Sequence, residues 1–299
     1  MVGAAFTKVA TLHALALVGS RDFDLRDRQQ TCDMFEAYNP EAVIHLAARV
    51  GGVKGNTTYV ADFFYENCLI NTNVLNAANV YGTKKVVSLL STCVYPDNST
   101  YPLTEDQIHC GEPHSSNFGY AYAKRMLDVH SRALRQQYGK NYICAIPNNL
   151  YGPGDNFHLE DGHVIPAMIR KIWEAKMYSR PAVMWGDGSP LREFTFSEDV
   201  ADILLFMLEE YDSPAPCNIG STGEYAINDV ARAICTNLDY DYNKIVWDRS
   251  KPMGQLRKPS DNSLLRAAGY DVSSYTCLED GLEKTCNWFL KNYPNVRGI

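Results

Sequence analysis

Val86-Val87-Ser88-Leu89-Leu90-Ser91-Thr92-Cys93-Val94-Tyr95-Pro96 decides the fold class. A short, mostly apolar run gives way abruptly to hydroxyls, a thiol and a proline. That pattern reads as a strand buried on both faces, with a loop at its carboxyl end. Three other runs share the form: Ala14 to Val18, Ala42 to Leu46 and Tyr142 to Ile146. Between them lie helical patterns over Arg28 to Tyr38, Asp62 to Tyr81 and Tyr120 to Tyr138. The β-α-β-α rhythm implies an α/β fold with a doubly wound parallel sheet and right-handed crossovers. After Gly152 the rhythm loosens. Helical patterns at Ile165 to Lys176, Ser197 to Tyr211, Asn228 to Leu238 and Leu278 to Asn292 mix with turns such as Gly186-Asp187-Gly188-Ser189-Pro190. A parallel-sheet domain over 1–152 and a smaller α/β region over 153–299 are therefore expected.

Composition narrows the function class. The chain has 299 residues, 45% hydrophobic and 11% aromatic, which supports a sizeable core and excludes a disordered chain. Lys plus Arg is 28 and Asp plus Glu is 35, a net charge of −7, which argues against nucleic-acid binding by phosphate neutralisation. No apolar run approaches the ~18 residues of a membrane helix, and Ile203 to Leu208 stops at Glu209-Glu210. The nine cysteines are scattered, without a Cys-x-x-Cys. No metal site is expected, and reduced thiols in a cytoplasmic protein are.

In an open parallel sheet, ligands bind beyond the carboxyl ends of the strands. The loops there read His45-Leu46-Ala47-Ala48-Arg49-Val50-Gly51-Gly52, Ser91-Thr92-Cys93-Val94-Tyr95-Pro96 and Pro147-Asn148-Asn149-Leu150-Tyr151-Gly152-Pro153. Tyr120 and Lys124 are four apart on a helix and share a face, whereas Tyr122 points elsewhere. An ammonium beside a phenol can lower its pKa from ~10 toward working pH, making it a general acid. Alone, Tyr-x-x-x-Lys is more often plain helix surface. Ser91 adds weight as a strand-end hydroxyl able to bond the same substrate oxygen.

Ser91, Tyr120 and Lys124 behind this β-α-β-α pattern resemble the triad of extended short-chain dehydrogenase/reductases. Further stretches narrow the resemblance to the GDP-L-fucose synthases. They are His45-Leu46-Ala47-Ala48 with Val50-Gly51-Gly52, the Ser91 to Pro96 loop, Tyr120-Ala121-Tyr122-Ala123-Lys124, Asn149 to Pro153 with Asp155-Asn156-Phe157, Gly162-His163-Val164-Ile165-Pro166, Trp185-Gly186 with Arg192-Glu193-Phe194, and Ser250-Lys251-Pro252. The likeness spans Gly3 to about Tyr293. It implies a Rossmann-type fold with a C-terminal substrate domain, NADP(H) as cofactor, a GDP-sugar substrate and a homodimer.

The resemblance also implies roles. Epimerisation beside a ketone needs one group to remove an α-proton and another to return one on the opposite face. Cys93 and His163 occupy the positions for this exchange, and both residue types titrate near neutrality. Which of them is base and which acid stays open. In the reduction that follows, Tyr120 protonates the carbonyl oxygen, Ser91 orients it, and Lys124 holds the nicotinamide ribose. For the substrate, Lys171, Trp185, Arg192 and Asp261 match, and Lys251, Arg257 and Lys258 form a further basic cluster. For the cofactor, Gly3, Arg21, Asp24, Leu25, Ala47, Ala48, Pro147, Asn149, Leu150 and His163 match beside Lys124. Arg21 favours NADP, because a guanidinium accepts a 2′-phosphate where a carboxylate would favour NAD. The plain alternatives are an exposed Arg in a charged turn, a structural Cys and a helix-start His.

Met1-Val2-Gly3 fits only the last residues of the Gly-x-x-Gly-x-x-Gly phosphate loop. The first strand and most of that loop are expected to be missing, leaving a gap between Ala14–Val18 and Val86–Leu90. A related sugar-nucleotide epimerase or dehydratase, and an impaired homologue acting only as a binding protein, remain as alternatives.

Overall fold

The chain runs α1 (Val2–Ala5), α2 (Arg28–Tyr38), β1 (Ala42–His45), α3 (Val53–Thr58), α4 (Val60–Val80), β2 (Lys85–Leu89), α5 (Phe118–Tyr138), β3 (Asn141–Pro147), β4 (Asn149–Tyr151) and α6 (Val164–Met177). It continues through β5 (Ala182–Trp185), β6 (Leu191–Phe196), α7 (Ser197–Glu210), β7 (Cys217–Ile219), β8 (Glu224–Ala226), α8 (Ile227–Asn237), β9 (Ile245–Asp248), α9 (Ser263–Ala267) and α10 (Leu278–Asn292). The structure is a computed structural model that describes residues 1–251 and 256–299. Pro252 of the Ser250-Lys251-Pro252 stretch lies outside the described residues.

Local chemistry sets the helix ends. The Asp27 carboxylate accepts from the amides of Gln29 and Gln30 at the start of α2, and Asn39 closes it in the left-handed region. Gly139, at φ +66°, closes α5.

Four parallel strands form the main sheet in the order β1-β2-β3-β7. Their side chains alternate. Val87, Leu89, Ile143 and Ala145 face a layer that includes Val200 and Leu204 of α7 and Val2 of α1. Val86, Tyr142, Cys144 and Ile146 face Leu75 of α4 and Leu127 of α5. Both faces are therefore covered, as an all-parallel sheet requires. A third apolar cluster, around Phe157, Ile169, Phe194, Val230 and Phe289, unites α6, β6, α8 and α10. The second half also supplies β7 to the main sheet.

Two expectations fail here. Ala14 to Val18 is not a strand. It has no regular secondary structure and is exposed, Leu17 at 52%. An apolar run becomes a strand only beside a neighbour that satisfies its backbone groups, and none lies alongside it among the described residues. The expected gap is also absent. β2 pairs with β1 on one flank and β3 on the other, Val86 opposite Val43 and Tyr142. The open edge is that of β1. One crossover, through α3 and the long α4, carries the chain from β1 to its neighbour β2, the usual outcome for consecutive parallel strands.

Helices α4 and α5 are pressed together where α5 begins. A Cβ on Gly119 would sit 2.4 Å from the Val60 carbonyl oxygen and 3.2 Å from Val60 Cγ1. Glycine thus lets α5 approach closely, and the next residue, Tyr120, meets Phe63 edge-on at 6.5 Å between ring centres. Gly119→Ala is expected to destabilise the fold by about 1–3 kcal/mol, because the backbone must move to admit the methyl group. Denaturant unfolding checks this; an unchanged midpoint would show that the helices part without cost.

Candidate active site

Strand β2 ends at the Leu89 carbonyl, and the buried Lys124 ammonium donates to that oxygen at 2.6 Å. Its neighbour Arg125 donates from Nε to the Val94 carbonyl at 2.7 Å and from Nη1 to that of Gly111 at 2.8 Å. Two successive cations on α5 thereby fasten both ends of the Ser91–Tyr95 loop. Inside it, Ser91 Oγ accepts from the Cys93 amide at 3.4 Å and caps the turn Thr92–Val94. Farther along, the Tyr95 hydroxyl donates to Asn218 Oδ1 at 2.7 Å. Ser91, Cys93, Tyr120 and Lys124 are thus gathered at one strand end.

Burial dominates the electrostatics. It raises the Cys93 thiol, while Ser91, Lys258 and Lys124 act in the opposite sense and favour the thiolate. It brings Lys124 down to about 8. Tyr120 is pushed well above its ordinary value, first by burial and then by Cys93. The expected depression of Tyr120 by Lys124 is therefore not found. The ammonium lies 5.9 Å from the phenol ring centre and is already engaged by Leu89. The phenol rests protonated, the form a proton donor needs.

His45 stands behind this group. Its Nε2 lies 3.1 Å from Asn71 Oδ1, while Asn71 Nδ2 donates to the Ala123 carbonyl at 2.9 Å. A carbonyl only accepts, so the Asn71 orientation is fixed and His45 Nε2 must carry the hydrogen. Burial first and Lys124 second lower His45 to about 4, so the ring is neutral. One turn earlier on α4, Asn67 clasps the Arg49 backbone, accepting from its amide at 2.9 Å and donating to its carbonyl at 3.0 Å. Ala47 and Ala48 are held between these two clasps.

His163 belongs to a different element. It precedes α6, half exposed, with Nδ1 4.0 Å from Asp155 Oδ1. Asp155 is buried; burial raises its carboxyl, His163 opposes this, and its Oδ2 has no protein partner. The Gly52 amide donates to the Asp161 carbonyl at 3.0 Å, joining the loop after β1 to the turn before His163. Asp155 was not singled out in the sequence, where only the Asp155-Asn156-Phe157 stretch signalled it.

The nicotinamide end of an NADP(H) site fits these residues. An ammonium has three N–H donors and Leu89 takes one, leaving two for a ribose diol. Pro147 ends β3, and Asn149 and Leu150 open β4; Asn149 Nδ2 donates to the Glu193 carbonyl at 2.9 Å. At the other end, Gly3 lies inside α1, 3.9 Å from Leu46 Cδ1 when given a Cβ. Arg21 is exposed in a turn. Asp24 is gripped by Arg26, which holds its carboxyl down at about 2, and the Leu25 carbonyl accepts from Asn73 at 3.0 Å.

The substrate-side residues fall into two groups. Lys171 on α6 sits 5.1 Å above the exposed Trp185 ring, with Lys251 at 6.0 Å; burial lowers the Lys171 ammonium. Arg192 on β6 stands opposite Tyr225 on β8. Asp261 accepts from the Ser263 amide at 2.6 Å. Lys258 was read only as one of a basic cluster, yet it is the member of that cluster that acts on Cys93 in the Ser91–Tyr95 loop. Burial lowers it to about 8, Cys93 resists that, and Arg192 adds to it. Nothing in the spacing of Lys251, Arg257 and Lys258 distinguishes the inward one.

The family model described as "NAD dependent epimerase/dehydratase family" matches residues 6–220. A GDP-L-fucose synthase of Dictyostelium discoideum is 43% identical over 93% of this chain and 87% of that protein. A probable GDP-L-fucose synthase of Drosophila melanogaster is 38% identical over 93% and 89%. The crystal structure of a GDP-L-fucose synthetase from Naegleria fowleri bound to NADP superposes with a TM-score of 0.87 at 38% identity, over 94% of this chain and 87% of that one.

The Lys124 shift has a stability consequence. Its pKa falls from 10.5 unfolded to about 8 folded, so between these values the unfolded chain binds more protons and stability rises with pH. The contribution is complete above 10.5 and lost as pH falls through about 8. Lys124→Met removes this dependence. Relative to the parent it should gain stability on going from pH 10.5 to 8, by up to about 3 kcal/mol. Denaturant unfolding at both pH values checks this; parallel curves would contradict it.

Proposed function

The chain belongs to the NAD-dependent epimerase/dehydratase family, and within it we propose that it is an NADPH-dependent enzyme converting GDP-4-keto-6-deoxy-D-mannose to GDP-L-fucose by 3,5-epimerisation and 4-keto reduction. The observation that carries this reading is the convergence at the end of β2. Ser91, a thiol, a protonated phenol and a buried ammonium meet there, with Lys258 and Arg192 on the side where a diphosphate would lie. The relatives of D. discoideum and D. melanogaster support it.

The 4-keto group acidifies the protons at C3 and C5. Cys93 and His163 act on opposite faces, one taking a proton to leave an enolate and the other returning one with inverted configuration. Lys124 and Lys258 both favour the Cys93 thiolate against its burial, and His163 Nδ1 stands 4.0 Å from the Asp155 carboxylate. The nucleotide, when bound, supplies the hydride that reduces C4. Ser91 Oγ orients the C4 oxygen, and Tyr120 passes its phenolic proton to that oxygen as charge develops. Lys124 holds the nicotinamide ribose and restores the Tyr120 proton balance.

Residues 1–152 mainly serve the cofactor and 153–299 the GDP-sugar. Lys258 and Arg192 neutralise the diphosphate, and Lys171 with Trp185 provides a cation and a flat apolar surface. A homodimer through α4 and α5 is part of the proposal, supported by Phe64, Tyr65, Phe118 and Val129 exposed on these helices. Among the described residues no helix is long and apolar enough to cross a membrane, and the cytoplasm is the proposed location.

Incubation with GDP-4-keto-6-deoxy-D-mannose and NADPH should oxidise NADPH and yield GDP-L-fucose; absence of both would overturn the proposal. Cys93→Ser should slow solvent-deuterium incorporation at C3 and C5 by about 100-fold or more, while sparing reduction of the already epimerised ketone. Tyr120→Phe should do the reverse. Equal loss of both steps in each variant would contradict the assigned division of labour.

A further inference from the structure

Glu193 is buried to 1% exposure beside Arg192, and none of the steps above uses it. Its carboxylate accepts three hydrogen bonds. The Ser260 amide donates to Oε1 at 3.0 Å, the Ser260 hydroxyl to Oε2 at 2.6 Å, and Asn148 Nδ2 to Oε2 at 3.3 Å. Its own carbonyl accepts from Asn149 Nδ2 at 2.9 Å. One residue of β6 therefore joins the loop after β3 to the segment that carries Lys258 and Asp261.

That segment is a strap across the carboxyl ends of the sheet, fastened along its length. The Leu256 carbonyl accepts from the Leu191 amide at 2.9 Å, and Arg257 Nε donates to Glu224 at 2.8 Å. The Pro259 carbonyl and Asp261 amide pair with the backbone of Leu103 at 2.8 and 3.0 Å. Asn218 Nδ2 donates to the carbonyls of Leu103 and Asp261 at 2.9 and 3.1 Å, while its Oδ1 takes the Tyr95 hydroxyl. Most of these are exposed or backbone contacts. Glu193 is the one buried carboxylate among them, and it grips Ser260 by both main chain and side chain.

We infer that Glu193 is a positioning residue, which holds the Arg257–Asn262 strap so that Lys258 faces the diphosphate of the bound GDP-sugar. This deepens the proposed function and rests on it. A carboxylate is required because three donors converge on it. Glutamine has one acceptor oxygen, and in either orientation its NH₂ would face an N–H donor, the Ser260 amide or the Asn148 side chain, so at least one of the three bonds is lost. Burial raises the Glu193 carboxyl, and the Ser260 and Asn148 bonds work against that.

The test is calorimetric titration of the full chain with GDP and, separately, with NADPH. Glu193→Gln should weaken GDP binding at least tenfold and leave NADPH binding within twofold. Ser260→Ala, which keeps the amide bond, should weaken GDP binding less and in the same direction; it carries the test if Glu193→Gln does not fold. Lys258→Met should weaken GDP binding, and adding it to Glu193→Gln should cost less than a further twofold, because both act through one contact. Equal losses for GDP and NADPH, unchanged GDP binding in both strap variants, or fully additive losses in the double variant would each overturn the inference. An unmodified chain that fails to bind GDP would overturn the proposed function itself, and this inference with it.

Discussion

The Lys124 ammonium, buried against the Leu89 carbonyl, is the contact on which the site depends. An isolated buried charge costs several kcal/mol, and burial expresses that cost by lowering the group to about 8. The position persists because the strand end offers a carbonyl that no further ladder partner claims. Arg125 repeats the device one residue later at Val94 and Gly111. Between them they fix the height of the Ser91–Tyr95 loop relative to the helix that carries Tyr120. The interaction that seats the loop is thus also the one that supplies the site's central cation.

Around this contact the molecule is divided into two kinds of packing. The three apolar clusters hold sheets and helices together through non-directional burial, tolerant of exchange between similar residues. The carboxyl ends of β1, β2, β3 and β7 are instead joined by side-chain amides and carboxylates: Asn67, Asn71, Asn148, Asn218 and Glu193. Such bonds specify direction as well as distance, and a missing partner leaves a buried polar group unsatisfied. Concentrating buried amide contacts at these strand ends gives a rigid site on a scaffold whose exact apolar residues matter less.

The sequence made the elements legible where local chemistry decides them. Arg28 to Tyr38 is bounded by Asp27 and Asn39, and the structure ends α2 at those residues. Val86 to Leu90 and Tyr142 to Ile146 are mostly apolar because both their faces are covered, and they appear as β2 and β3 within a residue. Ala14 to Val18 has the same composition and fails, since strand formation needs a partner that composition cannot specify. The triad spacing placed Tyr120 and Lys124 on one face correctly, but their electrostatics reversed the expectation: burial dominates Tyr120, and the ammonium 5.9 Å from its ring centre is hydrogen-bonded to Leu89.

What stayed illegible is long-range. Lys258 and Glu193 are each separated in sequence from their partners by far more than a helical turn, so no spacing rule reaches them. Arg257 and Lys258 are adjacent in sequence and meet opposite fates. Arg257 pairs with Glu224 at the surface, while Lys258 turns toward Cys93. Alternation along an extended segment separates the two, and the buried anchor that follows them, Ser260, is held by a glutamate 67 residues away. On the proposed reading a buried acid on another strand selects the charge that meets the substrate, and the motif Arg192-Glu193-Phe194 joins a proposed ligand-binding cation to the group that holds the segment carrying a second one.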